Sequence, residues 1–209
     1  MMEQPTGIVF GVHPLVAHMR SMTANLEART GRGLAAWIEV VRREGPAGDR
    51  ERLVWLKTRH KLGGATAGLI VECVAGRGRA FADEETYLAA APRLVDTLFS
   101  GPKAALRPLY EALARLACSI ADDVRICPTT TAVSIHRRHV VAEIKPASRT
   151  RIELDLALGA EKGGGRLVET GGLAKKDRLT HRVVVERLEE IDDELTAWLR
   201  LACERDAEP

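Results

Sequence analysis

Hydrophobic residues in the first 75 positions recur at the three- and four-residue spacing of amphipathic helices. After Pro14, which suits a first helical position, Leu15, Met19, Met22 and Leu26 follow at steps of four, three and four. Three more helices are predicted, one from Leu34 to Gly45, one from Arg50 to His60 and one from Ala65 to Ala75. The pattern predicts an N-terminal four-helix bundle.

From residue 131 onward the hydrophobic period changes to two. In residues 151–158 the apolar Ile152, Leu154, Leu156 and Leu158 alternate with polar residues, as in a half-buried antiparallel strand. Similar segments lie at 131–137, 140–144, 167–170 and 181–187, and helical patterns occur at 92–99, at 103–118 and after residue 191. We therefore predict an α+β domain with an antiparallel sheet of about five strands flanked by helices.

The stretch 76–85 lacks apolar periodicity and is rich in glycine and charge. We expect it to be a linker, which gives an all-helical domain over residues 1–78 and an α+β domain over residues 86–209. The two predicted domains also differ in net charge, since the first is basic and the second is slightly acidic. Residues 1–80 carry 12 basic and 7 acidic groups and residues 81–209 carry 19 and 22, although the net charge of the 209-residue chain is only +2.

The composition, 45% hydrophobic and 29% charged, is typical of a soluble globular protein. The longest uncharged stretch, residues 4–19, contains Pro5, His13, Pro14 and His18, which predicts neither a membrane span nor a signal peptide. The four cysteines show no C-x-x-C spacing, so we expect buried thiols and no zinc or redox site. These features predict a cytoplasmic protein that does not bind membranes.

Two parts of the sequence resemble known domains. Residues 25–38 and 45–63 resemble an N-terminal domain of unknown function with a TGRSLEEW-like helix and a WLK-type turn. Residues 133–138, 151–154 and 180–183 resemble a second α+β domain of unknown function that often accompanies it. The resemblance implies an uncharacterised bacterial two-domain family and no particular activity. Lys61, Val140 and Asp155 depart from it, since the family usually has glycine, phenylalanine and glycine there.

A glycine turn in the N-terminal domain is a candidate phosphate-binding site. Gly63, Ala67 and Ile70 keep the spacing of a helix-hairpin-helix module, in which amides at a helix start face a DNA phosphate. The candidate residues are Lys61, Gly63, Gly64 and Thr66. The alternative is that the glycines only end one helix and let the next pack closely. A base-reading helix-turn-helix is disfavoured, because the helix start offers no Arg, Asn or Gln.

A basic region in the second domain is a candidate anion-binding site. Residues 124–152 carry six cations against Glu143 alone. The candidate ligands are His136, Arg137, Arg138, His139, Lys145, Arg149 and Arg151, which neighbouring strands and their connecting turn would bring together. The alternatives are a solvated basic hairpin and, less favoured, a metal site built on the two histidines, whose spacing places them on opposite faces of a strand.

The sequence gives less support for a catalytic site than for these two binding sites. Glu143 and Lys145 match half of a metal-dependent nuclease site, whose other carboxylate would be Asp122 or Asp123. Glu153 and Asp155 alternate on one strand face and form a candidate acid–base pair. Phosphate-binding loops, dinucleotide fingerprints and serine nucleophile elbows are absent from the sequence. We therefore expect an accessory binding protein with no cofactor, whose partner is nucleic acid or a small anionic ligand.

Overall fold

A computed structural model describes residues 7–207, which contain eight α-helices and a six-stranded antiparallel sheet. The α+β class is confirmed. Within the described residues the chain divides into two compact units, one formed by Val12–Ala90 and the other by residues 7–11 together with 91–207. Between residues 7 and 207 no helix combines the length and apolar character needed to cross a membrane.

The helical unit contains five helices before residue 75: α1 (Leu15–Ala24), α2 (Leu26–Thr30), α3 (Leu34–Glu44), α4 (Asp49–Arg59) and α5 (Gly64–Val74). The apolar stripes of these helices meet in one core, which includes Leu26, Trp37, Val41, Leu56 and Ile70. The first predicted helix is thus two helices. Asn25 interrupts it, because its side-chain amide donates to the Ser21 carbonyl at 2.9 Å and competes with the helical hydrogen bonds.

The segment predicted as a linker is structured. Residues Arg77–Phe81 form a 3-10 helix and α6 (Glu84–Leu98) begins directly afterwards. Phe81 and Tyr87 are buried with their rings 5.4 Å apart, so this charged stretch contains buried aromatic side chains. The division between the two compact units lies within α6, between Ala90 and Ala91.

The second unit is built on the sheet. Its strands are β1 (Arg125–Pro128), β2 (Val133–His136), β3 (Val140–Pro146), β4 (Ile152–Leu156), β5 (Val168–Glu169) and β6 (His181–Val185), in the order β1-β2-β3-β4-β6-β5. Every neighbouring pair is antiparallel. Helices α7 (Arg107–Ile120) and α8 (Asp193–Ala207) complete the unit.

Strand β1 was missed by the sequence pattern. It has only four residues, and Ile126, Cys127 and Pro128 are all buried, so no alternation marks it. The start of the chain pairs with it, since Phe10 bridges Ile126 in parallel and the Gly11 amide donates to the Ile126 carbonyl at 3.1 Å. The described residues before Val12 therefore belong to the sheet unit, not to the helical one.

The two faces of the sheet differ in chemistry. Ile135, Ile144, Leu154 and Val183 form one core with apolar residues of α7 and α8. The opposite face carries a row of polar residues in register across four strands: Ser134, Glu143, Asp155 and Arg182. This polar row holds several of the residues that the sequence singled out.

Candidate functional site

The candidate phosphate site lies at the turn between α4 and α5. Gly63 is the N-cap of α5 in an extended conformation, and Gly63, Gly64 and Lys61 are exposed to solvent. Thr66, by contrast, is only 8% exposed. It lies one helical turn before Ile70, on the face that packs into the core. Three of the four candidate residues are therefore accessible, while Thr66 contributes to the interior.

The backbone donors at the start of α5 are open. No side chain among the described residues caps this helix, and no acidic residue lies in its first turn. The Ala67 amide bonds to the Gly63 carbonyl at 2.9 Å, so the amides of the first three helical residues have no intrahelical partner. These amides stand at the positive end of the helix dipole, where anions are stabilised.

Three cations precede these amides. Lys57, Arg59 and Lys61 are exposed, and within residues 7–207 none of them forms a side-chain ion pair or hydrogen bond. We call residues 57–64 the basic turn. The nearby Glu44 is bonded to Arg43 at 2.6 Å, so its carboxylate is already engaged. The basic turn thus combines unpaired cations with open amide donors.

Lys61 adopts a left-handed conformation, with φ at +56°. A side chain costs about 1–2 kcal/mol in this region relative to ordinary backbone, and glycine avoids that cost. The conformation lets the chain reverse so that the Leu62 amide donates to the Leu56 carbonyl at 3.3 Å. The turn therefore favours glycine, which the family that this chain resembles usually has at this position. This chain has a strained lysine there instead.

His60 shapes the same turn, although the sequence did not single it out. Its ring meets Trp37 and Trp55 edge to face, at centroid distances of 5.1 and 4.5 Å. Burial lowers the pKa of His60, and the positive charges of Arg59 and Arg32 lower it further. A neutral His60 anchors the turn by packing. Trp55 and His60 are five residues apart, but Trp37 comes from a different helix, so a local pattern does not reveal the whole cluster.

The turn between β2 and β3 holds four of the candidate anion ligands. His136 is half-buried at the end of β2. Arg137 donates to Asp123 at 2.7 and 2.8 Å and to the Cys203 carbonyl at 3.0 Å. The hydrogen bond from Arg137 lowers the pKa of Asp123. The Arg137 guanidinium is therefore occupied by protein groups.

Asp206 of α8 fixes the rest of this turn. Its carboxylate accepts the amides of Arg138 and His139 at 2.8 and 3.0 Å, and it contacts His139 Nδ1 at 2.9 Å and the Arg178 guanidinium. Burial alone would raise the pKa of Asp206, but hydrogen bonds from His139 and Arg138 hold it below its usual value. The turn is thus held by a buried anion of the protein itself.

Lys145 belongs to the polar row of the sheet. Its Nζ bonds to Glu143 at 2.6 Å and to Asp155 at 2.9 Å. Arg182 binds the same Asp155 at 2.5 Å and Glu153 at 2.8 Å. Burial would lower the pKa of Lys145, but the hydrogen bonds that it donates to Glu143 and Asp155 raise it. The lysine therefore neutralises neighbouring carboxylates on this sheet face.

The same ion pairs involve the residues that the sequence offered as a nuclease site and as an acid–base pair. The carboxylate in register with Glu143 is Asp155, not Asp122 or Asp123. Its oxygens are bound by Lys145 and Arg182, and Arg182 also pairs with Glu153. Within residues 7–207 no three His, Cys, Asp or Glu side chains lie close enough together to hold a metal ion. The geometry is that of a closed ion-pair network.

The remaining two candidate anion ligands lie at the other end of β3. Arg151 is 4.0 Å from Glu153, and Arg149 lines a cleft of about 410 Å³ together with Lys103. Seven strand residues separate this turn from the turn at Arg137, a distance of about 23 Å at 3.3 Å per residue. The structure therefore does not gather the candidate anion ligands into one patch.

Comparison with known proteins identifies the two halves of the chain. Residues 95–204 match the family model described as Domain of unknown function (DUF5655). Residues 18–75 match a second one, described as Domain of unknown function (DUF4287). No curated protein and no solved structure matches the chain. The two matches confirm the two-domain resemblance seen in the sequence.

Proposed function

The chain belongs to the DUF5655 family, whose description names no activity, and from its own geometry we propose that it binds nucleic acid weakly and without sequence preference. The contact surface in this proposal is the basic turn of the helical unit. The protein would act as an accessory binding protein in the bacterial cytoplasm, with no catalytic step and no cofactor.

One observation carries the proposal: the turn that leads into α5 carries exposed, unpaired cations and is followed by open backbone donors. Lys57, Arg59 and Lys61 make no ion pair within the described residues, and the first-turn amides of α5 have no side-chain acceptor. Phosphate groups are bound in this way in non-specific complexes, by cations together with helix N-termini. The strained Lys61 adds support, because its charge is kept at a position where glycine would cost less.

The lack of base readers supports the absence of sequence preference. The exposed start of α5 carries Gly64 and Ala65, and further along the helix Gly68 is half-buried. Reading base edges requires side chains such as Arg, Asn or Gln, which can form paired hydrogen bonds with a base. We therefore expect affinity to depend on phosphates alone.

The test exchanges Lys61 for glycine and uses Lys176 as its matched control. Lys176 is an exposed lysine of the sheet unit with φ +57°, so Lys176→Gly removes the same charge and relieves the same backbone strain. Fluorescence anisotropy at low salt with two 20-base-pair duplexes of unrelated sequence measures the affinity. We expect Lys61→Gly to weaken binding to both duplexes by roughly three- to tenfold and Lys176→Gly to leave it unchanged.

Stability distinguishes this result from damage to the fold. Relief of the left-handed strain offsets the greater unfolded-state entropy of glycine, so both variants should be as stable as the parent or up to about 1 kcal/mol more stable. Weaker binding by a protein that is not destabilised is the expected combination. Absence of a complex with the parent protein, or equal binding by both variants, would overturn the proposal.

A second candidate function is supported by the cleft at Arg149. Lys103 and Arg149 line it together with the hydroxyl-bearing Thr97, Ser100, Thr130 and Ser148. Two cations and several hydroxyl donors are suited to a small oxyanion. If the sheet unit binds such a ligand here, phosphate or sulfate should raise the thermal midpoint of the parent but not of Arg149→Gln. A shift no larger than that given by matched chloride would remove this candidate.

A further inference from the structure

The helical unit contains a large cleft away from the basic turn. It lies among α1, α3, α5 and the 3-10 helix Arg77–Phe81, and its volume is about 640 Å³. Its wall is apolar, formed by the buried Leu69 and Phe81 and the half-buried Leu34 and Ile38. This volume lies within the range of small-molecule sites, which are concave and mostly apolar.

Three arginines reach the mouth of this cleft from three different elements. Arg20 belongs to α1, Arg42 to α3 and Arg79 to the 3-10 helix, and all three are exposed. One carboxylate lines the cleft as well, that of Glu39, which Arg42 binds at 3.3 Å. Within the described residues Arg20 and Arg79 have no ion-pair partner. We call this feature the arginine-rimmed cleft.

Two acids beside the cleft offset part of the charge of Arg20. Asp83 and Glu84 line an adjoining groove together with Arg20. Hydrogen bonds from the Thr86 amide and hydroxyl, at 2.7 and 2.9 Å, lower the pKa of Asp83, and the charge of Arg20 lowers it further. The cleft itself is lined by three arginines and one acid, Glu39, so its rim keeps a positive excess. Arg20 is partly balanced by Asp83, whereas Arg79 has no ion-pair partner within the described residues. Like charges placed around a partly enclosed apolar surface repel one another, and an anion between them removes that repulsion.

From the apolar wall and the cationic rim we propose that the arginine-rimmed cleft binds a small amphipathic carboxylate. The apolar chain or ring of the ligand lies against Leu69 and Phe81, and its carboxylate meets Arg20 and Arg79 at the mouth. A bare phosphate or a nucleic-acid backbone would leave the apolar wall unfilled, so this site is separate from the proposed basic turn. Arginine suits the role because its planar guanidinium matches a carboxylate with two hydrogen bonds.

The test is an NMR titration of the full chain with three probes that share an eight-carbon chain. Octanoate carries a negative charge, 1-octanol carries none and octyltrimethylammonium is positive. We expect octanoate to shift amides lining the cleft, including those of Leu69 and Phe81, and to bind at least tenfold more tightly than 1-octanol. The cationic probe should not bind.

Variants of the lining residues test whether octanoate binds in this cleft, and they distinguish the contribution of the arginine charges from that of the open space. Arg20→Gln and Arg79→Gln should each weaken octanoate binding about threefold or more, whereas Arg29→Gln should not, because Arg29 is exposed on the same unit outside the cleft. Ala35→Trp fills the mouth and should abolish binding of octanoate and 1-octanol alike. All four positions are exposed, so these changes preserve the fold.

Several results would overturn the inference. Equal affinity for octanoate and 1-octanol would show that the arginines take no part. Amide shifts elsewhere, or octanoate binding that survives Ala35→Trp, would place the ligand outside the cleft. No binding of octanoate would reject the site altogether, and it would leave the nucleic-acid proposal untouched.

Discussion

Asp206 supports the turn between β2 and β3, and its removal should be costly. Its side chain is 1% exposed, and it accepts the backbone amides of Arg138 and His139 at 2.8 and 3.0 Å. Asp206→Ala leaves both amides without their acceptor in a partly buried site. Each lost acceptor costs about 1–3 kcal/mol. Arg178 is 42% exposed and can be solvated by water, so we add nothing for it.

We therefore expect Asp206→Ala to lower the free energy of unfolding of the sheet unit by about 2–6 kcal/mol. The matched control is His139→Gln. The His139 side chain is 65% exposed, so losing its contact with Asp206 should cost less than about 1 kcal/mol. Hydrogen exchange of peptides from β3 and β4 in increasing urea measures this unit alone, which avoids treating a two-unit chain as a single transition.

The effect should depend on pH. Hydrogen bonds hold the pKa of Asp206 below its usual value against the opposing effect of burial. The carboxylate therefore contributes stability above the ordinary aspartate pKa, about 3.9, and this contribution fades as the pH falls through the lower folded-state pKa. The gap between the parent and Asp206→Ala should narrow below about pH 4. A cost no larger than that of His139→Gln, or a gap that widens in acid, would refute the reasoning.

Three further predictions concern buried groups. Asp155→Ala, which leaves two cations without their shared acceptor, should cost the sheet unit about 2–3 kcal/mol, and Asp155→Asn should cost less. Thr30→Val removes the oxygen that Trp37 Nε1 binds at 2.8 Å and should destabilise the helical unit by about 1–2 kcal/mol, while Thr30→Ser should not. Burial raises the pKa of Cys127 to about 12 and that of Cys203 to about 11, so iodoacetamide at pH 8 should modify both thiols much more slowly in the native than in the urea-unfolded protein. Equal rates in the two states would contradict their burial.

Helices α3, α4 and α5 were predicted well because each buries one face against its neighbours. The stripe through Leu34, Trp37 and Val41 marks α3, and Gly45 ends it. The alternation at 152–156 marks β4 for the same reason, since one face packs against helices and the other carries Glu153 and Asp155. Burial on one side repeats at the period of the element, and that period is visible in a single sequence.

The site residues were harder to predict because charge pairing is set by tertiary contacts. Arg137 and Lys145 stand in a stretch with few acids, yet Asp123 pairs with Arg137 from 14 residues away and Asp155 pairs with Lys145 across two strands. A local count of charges does not see these partners. The arginine-rimmed cleft was missed for the same reason, since its arginines come from elements that only the fold brings together.

The most direct test of the central claim is the salt dependence of duplex binding. If the basic turn contacts phosphates, the logarithm of the association constant falls linearly with the logarithm of salt concentration, and each lost phosphate contact makes the slope shallower by about 0.9. We predict this change for Lys61→Gly and none for Lys176→Gly on both duplexes. Identical slopes for the parent and the two variants, or an affinity that does not depend on salt, would contradict the account.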